Sequence, residues 1–374
     1  MGTSKLSRII IFALAGIFVL AGILLFPLAP KIDAAPPPVP DSPVITSITF
    51  SGRLAQEATG SDNWPLTWAD DDNLYTAYGD GWGFDPKIST KLSLGFVKVN
   101  GGPTNFAGTN IRSPMGEDTG GGASGKKASG MLMVDGTLYM WVRNANKNGR
   151  QCQLAWSTDY AKTWQWSDWK FTELGYCAFL NFGKNYAGSR DNYVYVYSPN
   201  TDHAYNESNE TVLTRVPENS IKNRNAYEFF SGTPNSPQWS SNISNRKSIL
   251  TYPGGMNRLD VTYNPGINRY LMTNRSRAQA AGENQLSIFD APEPWGPWTL
   301  VYYDPNAGTG NRGWGEVAHI PSKWISSDGK TFYIVYAGDD SFSVKRAVIT
   351  TGSTTQTPAP TSTSTPTSSG ISRK

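Results

Sequence analysis

"DDNLYTAYGD", Asp71 to Asp80, is a turn dipeptide followed by a short run of β-forming residues centred on Tyr75. The same arrangement returns as "VDGTLYMWV" around Tyr139, "RDNYVYVYS" around Tyr195, "GINRYLMTN" around Tyr270 and "SDGKTFYIVY" around Tyr333. The tyrosines are spaced by 64, 56, 75 and 63 residues. Each run alternates large with small or polar side chains, as a half-buried strand does. The Asp-Asn, Asp-Gly and Asn-Arg turns before them suit tight hairpins. Five similar hairpins at a fairly steady period point to radial repetition, an all-β five-bladed β-propeller with long insertions in its blades. A β-sandwich with regular hairpins is the alternative. A parallel sheet is excluded because no long amphipathic helix follows any strand.

The composition agrees. Of 374 residues, 12% are aromatic and only 17% charged, with 37 glycines and 25 prolines. The net charge of +3, without a basic run, excludes a nucleic-acid partner. Two histidines, His203 and His319, and two cysteines, Cys152 and Cys177, form no metal-ligand pattern, so neither metal nor cofactor is expected.

The ends differ from the middle. Lys5 and Arg8 precede "IIIFALAGIFVLAGILLFPLAP", residues 9–30. This is long enough to span a bilayer, and the basic flank would stay cytoplasmic. Residues 1–30 are therefore read as a signal-anchor transmembrane helix, with a cleaved signal peptide as the alternative. Either reading exports the main domain, to the cell surface or as a secreted protein. Export permits a Cys152–Cys177 disulfide; two buried free thiols are the other possibility. Residues 31–43 read as a proline-rich stalk. Residues 44–350 form the propeller, and 351–374 are a disordered Ser/Thr/Pro-rich tail. Asn-x-Ser/Thr triplets begin at Asn206, Asn209, Asn242 and Asn274. The chain is expected to act as a monomer.

"STDYAKTW", Ser157 to Trp164, resembles the Asp-box of sialidase-type propellers, with Ala161 where glycine is usual; "SDGKTF", Ser327 to Phe332, is a shorter relative. Their aspartates are structural, so Asp159 is not assigned to catalysis.

In a propeller the innermost strand of each blade lines a central shaft, and side chains at the strand starts converge on one mouth. The upstream segments "GSDNWPLTWAD", "GKKASGMLMV", "YCAFLNFGKN", "GGMNRLDVTYN" and "GWGEVAHIP" are the candidates for those strands. Asp62 begins the first, beside Asn63 and Trp64. Asp70, Asp71 and Asp72 belong to the outer turn. Asp80 either enters the site or caps a turn. Trp64 and Trp82 offer flat apolar faces beside carboxylates, a combination that suits sugars. Glycosidic hydrolysis needs two carboxyl groups about the anomeric centre. Glu228, Asp260 and Glu316 are the other candidate acids. Glu228 lies among Tyr227, Phe229 and Phe230, an apolar setting that raises a carboxyl pKa. Lys127, Asn181 and Arg258 are candidate hydrogen-bond donors to hydroxyls or to a substrate carboxylate. Trp314 and His319 flank Glu316.

"DNWPLTWADDDNLYTAYGDG", "AYEFFSGT", "LDVTYNPGINRYLM" and "APEPWGPWTLVYY" resemble domain-of-unknown-function family 4185 over roughly residues 45–350. "APEPWGPW" also resembles a blade segment of other propeller glycosidases. The resemblance implies a five-bladed propeller related to glycoside hydrolases, some of whose members cleave D-arabinan. It maps a first-blade nucleophile or base onto Asp62 and a later-blade acid onto Glu228 or Glu316. The third-blade aspartate of such enzymes has no match, since Asn181 stands there; its role passes to Asp260 or is lacking. The function expected is an exported, membrane-tethered glycoside hydrolase acting on a polysaccharide or glycan. A non-catalytic carbohydrate-binding or adhesion propeller is the alternative, and a lyase on acidic sugars a third.

Overall fold

The computed structural model describes residues 35–277, 284–308 and 312–352. The proposed anchor, residues 1–30, and the tail beyond Gly352 lie outside the described residues. No described helix is long and apolar enough to cross a membrane.

The described chain is β-strand and loop with six short 3-10 turns. Strands β1 (Ile45–Phe50) and β2 (Ala55–Glu57) come first but pair with the last strand of the chain. The first complete unit is a four-stranded antiparallel meander: β3 (Asp62–Trp68), β4 (Leu74–Gly79), β5 (Gly95–Asn100) and β6 (Ala107–Ile111). The second is β7 (Lys127–Val134), β8 (Thr137–Arg143), β9 (Cys152–Ser157) and β10 (Gln165–Phe171). The third contains β11 (Ala178–Asn181), β12 (Tyr193–Pro199) and β13 (Ser208–Pro217). The outer edge of β13 carries β14 (Glu228–Phe230), extended by β15 (Trp239–Ser240), and also β16 (Ser248–Met256). The fourth is β17 (Arg258–Asn264), β18 (Arg269–Arg277), β19 (Asn284–Ala291) and β20 (Thr299–Asp304). The fifth runs β21 (Ala318–His319), β22 (Thr331–Tyr336), β23 (Phe342–Thr351) and closes with β1.

The innermost strands touch in the cyclic order β3, β7, β11, β17, β21 and back to β3. This ring of five blades is a β-propeller. Hydrogen bonds stitch it blade to blade: Asn63 donates to Ala128 O at 2.5 Å, Asn181 to Met131 O at 3.2 Å, and Thr262 to Ile320 O at 2.8 Å. Parallel pairing of β11 with β17 joins the third blade to the fourth, and His319 Nε2, 3.2 Å from Asn63 O, completes the circle.

The recurring tyrosine hairpin has a physical origin. Asp71 accepts the Asn73 amide and the Tyr75 hydroxyl. Asp191 accepts the Tyr193 amide and the Tyr195 hydroxyl in the same way. An Asx-turn thus sets these two hairpins. The strands that follow are not half-buried. All of β4 is buried: Leu74 and Tyr78 pack toward the fifth blade, Tyr75 and Ala77 toward the second. A sheet covered on both faces by neighbouring blades has no solvent side to alternate with.

Both Asp-box segments are turn staples. Asp159 accepts the Thr163 amide at 2.9 Å and its hydroxyl at 2.7 Å, while Trp164 stacks on Phe96. Asp328 accepts from Ser326 and the Lys330 amide. Cys152 and Cys177 are buried free thiols. The described part of the expected stalk, residues 35–43, lies against the fourth blade and β16 of the third instead of standing free. The Ser42 amide donates to Leu300 O, Leu300 N donates to Pro40 O, and Tyr252 donates to Ala35 O.

Candidate active site

Asp62 stands at the entrance of β3, opposite Gly79. The two residues after it, Asn63 and Trp64, have φ of +85° and +74°, and a bulge interrupts the ladder before Leu66. Such backbone costs an L-residue roughly 1–2 kcal/mol each, and strain of this kind concentrates at functional sites. The bulge lets Asp62 face the axis while Trp64 packs among Tyr78, Phe84 and Phe342. Gly79 is required here: a Cβ at that position would stand 2.4 Å from Asp62 Oδ1. That oxygen is buried and has no hydrogen-bond partner among the described residues.

The other blades bring charge to the same mouth. Lys127, at the start of β7, is ion-paired with Asp80, which follows β4. Arg143 ends β8, directly opposite Lys127. Arg258 begins β17, and Arg275 is its register partner on β18. Glu316, just before β21, pairs with Arg258, and Arg143 Nη2 approaches the same Oε2 at 3.7 Å. The Glu316 side chain keeps 18% exposure and that of Asp80 keeps 27%, so the cluster opens to solvent there. Tyr205 of the third blade lays its ring 5.4 Å from the Arg143 guanidinium and 5.7 Å from that of Arg258. Tyr176 lies fully buried beside Arg143.

Electrostatics separate the two axial acids. Burial, and after it the Glu316 charge, pushes Asp62 up from 3.8 to about 7, against the pull of Lys127 and Arg143. Burial alone would raise Glu316 too. There Arg258, then Arg143, Arg275 and Lys127 outweigh it and hold the carboxyl down from 4.5 to about 2. At neutral pH the site therefore presents one carboxyl near its titration midpoint and one firmly ionised.

Asp260 and His319 act beside this pair. His319 Nδ1 is 3.1 Å from Asp260 Oδ1, and Asp260 Oδ2 accepts the Ile320 amide at 3.4 Å. With the His319–Asn63 contact, this chain of close contacts runs from the fourth blade through the fifth to the strained turn after Asp62.

Residues 67–309 match the family model described as domain of unknown function (DUF4185). The chain belongs to this family. Asp62, Glu316 and His319 lie just outside the matched DUF4185 span. No curated protein matches the chain. Among solved structures, this DUF4185 chain is similar to the catalytic domain of the Coprinopsis cinerea GH62 α-L-arabinofuranosidase. That match has 9% identity and a TM-score of 0.48, over 82% of this chain and 98% of that one. It is also similar to a GH62 hydrolase in complex with xylotriose, at 8% identity and TM-score 0.46, over 80% and 96%. A GH43_1 enzyme from Xanthomonas citri gives 11% identity and TM-score 0.45, over 80% and 89%.

The DUF4185 fold gathers Asp62, Asn63, Asp80, Lys127, Arg258, Asp260, Glu316 and His319 around one mouth. It does not bring Glu228 there. Glu228 sits on β14 at the rim of the third blade, paired with Arg215 at 2.8 Å, because the apolar run around it packs between outer strands. Trp64 is fully buried, its indole N–H donating to Ser341 O, so it offers no face to a ligand. Trp314 packs against Phe50 and Tyr336 in the fifth blade, under Lys345. Asn181 is spent on the clip to Met131. Trp82 is half-buried beside Gly60, with the Lys91 ammonium 5.1 Å over its ring.

Arg143 and Arg275 escaped the reading of the sequence because they stand at or near the ends of second strands; Tyr176 opens the segment "YCAFLNFGKN" but was not singled out, and Tyr205 lies in the loop between β12 and β13. The signal was there in "TLYMWVR" and "RYLMTNRSR": second strands with a buried pattern that reach arginine at the axial end.

Proposed function

We propose that this chain is a glycoside hydrolase working at the axial mouth, with Asp62 as proton donor and Glu316 as its ionised partner. The observation that carries this reading is the pair of axial carboxyl groups whose surroundings drive their titrations apart. An acid that holds its proton near pH 7 can protonate a glycosidic oxygen. A carboxylate held ionised can face the positive charge that develops at the anomeric carbon and orient water or attack it. These roles reverse the expectation that Asp62 is the base and a later glutamate the acid. Glu228 has no part in the reaction. Asp260 and His319 are positioning residues that hold Asn63, and through it the Asp62 turn. The substrate follows the family resemblance only as far as a polysaccharide, arabinan-like backbones included. We further propose that the apolar segment 9–30 exports the domain and tethers it to a membrane, so that the substrate is met outside the cytoplasm.

A polysaccharide panel with reducing-end detection tests the activity. Asp62→Asn and Glu316→Gln should each lower the rate at least 100-fold in protein that still folds. The wild-type rate should fall as pH rises through about 7, because only protonated Asp62 is active. A substrate cleaved equally well by wild type and both variants would refute the assignment.

A further inference from the structure

The proposed chemistry needs two carboxyl groups, yet the mouth holds four buried or nearly buried cations. Arg143, Arg258 and Arg275 are 0%, 2% and 4% exposed, and Lys127 is 2% exposed. Lys127 is matched by Asp80, Arg143 and Arg258 share the single charge of Glu316, and Asp62, raised to about 7, adds a charge only when it is ionised. Arg275 donates to the neutral Asn284 side chain. Glu207 also influences Arg275, but its nearest bond is to the Arg277 amide. Asp260 is engaged by His319 and Ile320.

The donors are under-used as well as the charges. Arg143 Nε and Nη1, Arg258 Nε and Arg275 Nε are buried without an acceptor among the described residues, and so is the Tyr176 hydroxyl. Leaving buried guanidinium N–H groups unmet costs several kcal/mol. Arg258 and Arg275 also face each other directly across a strand pair, an arrangement of like charges that is itself destabilising. Burial, then Arg258, pulls Arg275 well below the usual guanidinium range, to about 9, against the opposing pull of Glu316 and Glu207. A structural role would be filled more cheaply by one arginine on Glu316.

From the convergence of Arg143, Arg258 and Arg275 with unmet N–H groups, we propose that the mouth recognises an anionic substituent on the glycan, a carboxylate or a sulfate or phosphate ester. Arginine forks match the paired oxygens of all three. Arg143 comes from the second blade and the other two from the fourth. They would grip the substituent from two sides, with the Tyr205 ring 5.4 Å from the Arg143 guanidinium and 5.7 Å from that of Arg258. The inference rests on the axial mouth being the glycan subsite and names what its substrate must carry.

Titration calorimetry on the full chain tests it without turnover. The probes are uronic-acid, sulfated and phosphorylated oligosaccharides, each against the neutral oligosaccharide of the same backbone, with sodium sulfate and acetate alone. At least one acidic sugar should bind 30-fold or more tighter than its neutral match, and the preference should shrink in high salt. The acid that wins identifies the substituent. Arg275→Gln should abolish the preference and Arg275→Lys should restore it in part; melting curves verify that both variants fold. If neither variant folds, the wild type still decides, since acidic sugars alone should raise its melting temperature. Equal affinity for acidic and neutral sugars overturns the proposal, as does sulfate or acetate binding as tightly as any sugar. Arginine-dependent binding of an acidic sugar with no cleavage of anything would leave this inference standing and remove the hydrolase. Asp62-dependent cleavage of a neutral glycan, uncompeted by acidic sugars, would do the reverse.

Discussion

Replacing Asp62 by asparagine should make the protein more stable, and only at high pH. The carboxyl rises from 3.8 to about 7 on folding. At 1.36 kcal/mol for each unit, that is about 4 kcal/mol favouring the protonated form in the folded protein. Between pH 4 and 7 the folded state therefore binds more protons than the unfolded chain, so stability falls as pH rises through this window. Asparagine carries no such penalty. Asp62→Asn should match wild type near pH 4 and exceed it by roughly 2–4 kcal/mol at pH 8. Glu316→Gln should move the other way. Its carboxyl falls from 4.5 to about 2, which contributes stability present above pH 4.5 and lost as pH drops toward 2. The variant also leaves Arg258 and Arg143 without their shared anion, and a loss of about 3 kcal/mol or more at pH 7 is expected. Guanidinium unfolding of the three proteins at pH 4, 6 and 8 gives the comparison. An Asp62→Asn stability difference that does not grow between pH 4 and pH 8 would refute the electrostatic account of the site, whatever the activity assays say.

Three further outcomes follow from the same structure. Glu228→Gln should leave activity within twofold and cost no more than about 1 kcal/mol, because the Arg215 pair is partly exposed; a hundredfold loss would return Glu228 to the candidate acids. Ala161→Gly should raise stability by roughly 0.5 kcal/mol in denaturant titration, since Ala161 sits at φ +68° in the Asp-box turn where a Cβ is strained. Ellman's reagent should find no reactive thiol in native protein and two after unfolding without reductant, because Cys152 and Cys177 are unexposed and burial pushes the Cys177 thiol up; two unreactive sulfurs after unfolding would mean a disulfide.

The repeat was legible in the chain because its cause is local. An aspartate that binds its own turn and a tyrosine four residues on act within one hairpin, and the pattern survives as Asp71–Tyr75 and Asp191–Tyr195. Asp62, Asp260 and Glu316 were legible for a related reason, since a strand start has a fixed place in a radial repeat. Glu228 was misread because an apolar neighbourhood in sequence says nothing about which layer of a blade it occupies. Trp64 and Trp314 were misread likewise: one face of a tryptophan looks the same whether a sugar or another blade will cover it.

What the sequence determined by itself was the β architecture, its fivefold period and most of the acids near the axis, all consequences of short-range turn chemistry and strand periodicity. The division of labour at the mouth belonged to the tertiary structure alone. Arg143 and Arg258 are 115 residues apart and meet on one Glu316 oxygen only when the ring closes. A carboxyl's proton affinity depends on burial and on charges within a few ångströms, and those distances exist only after the blades have packed.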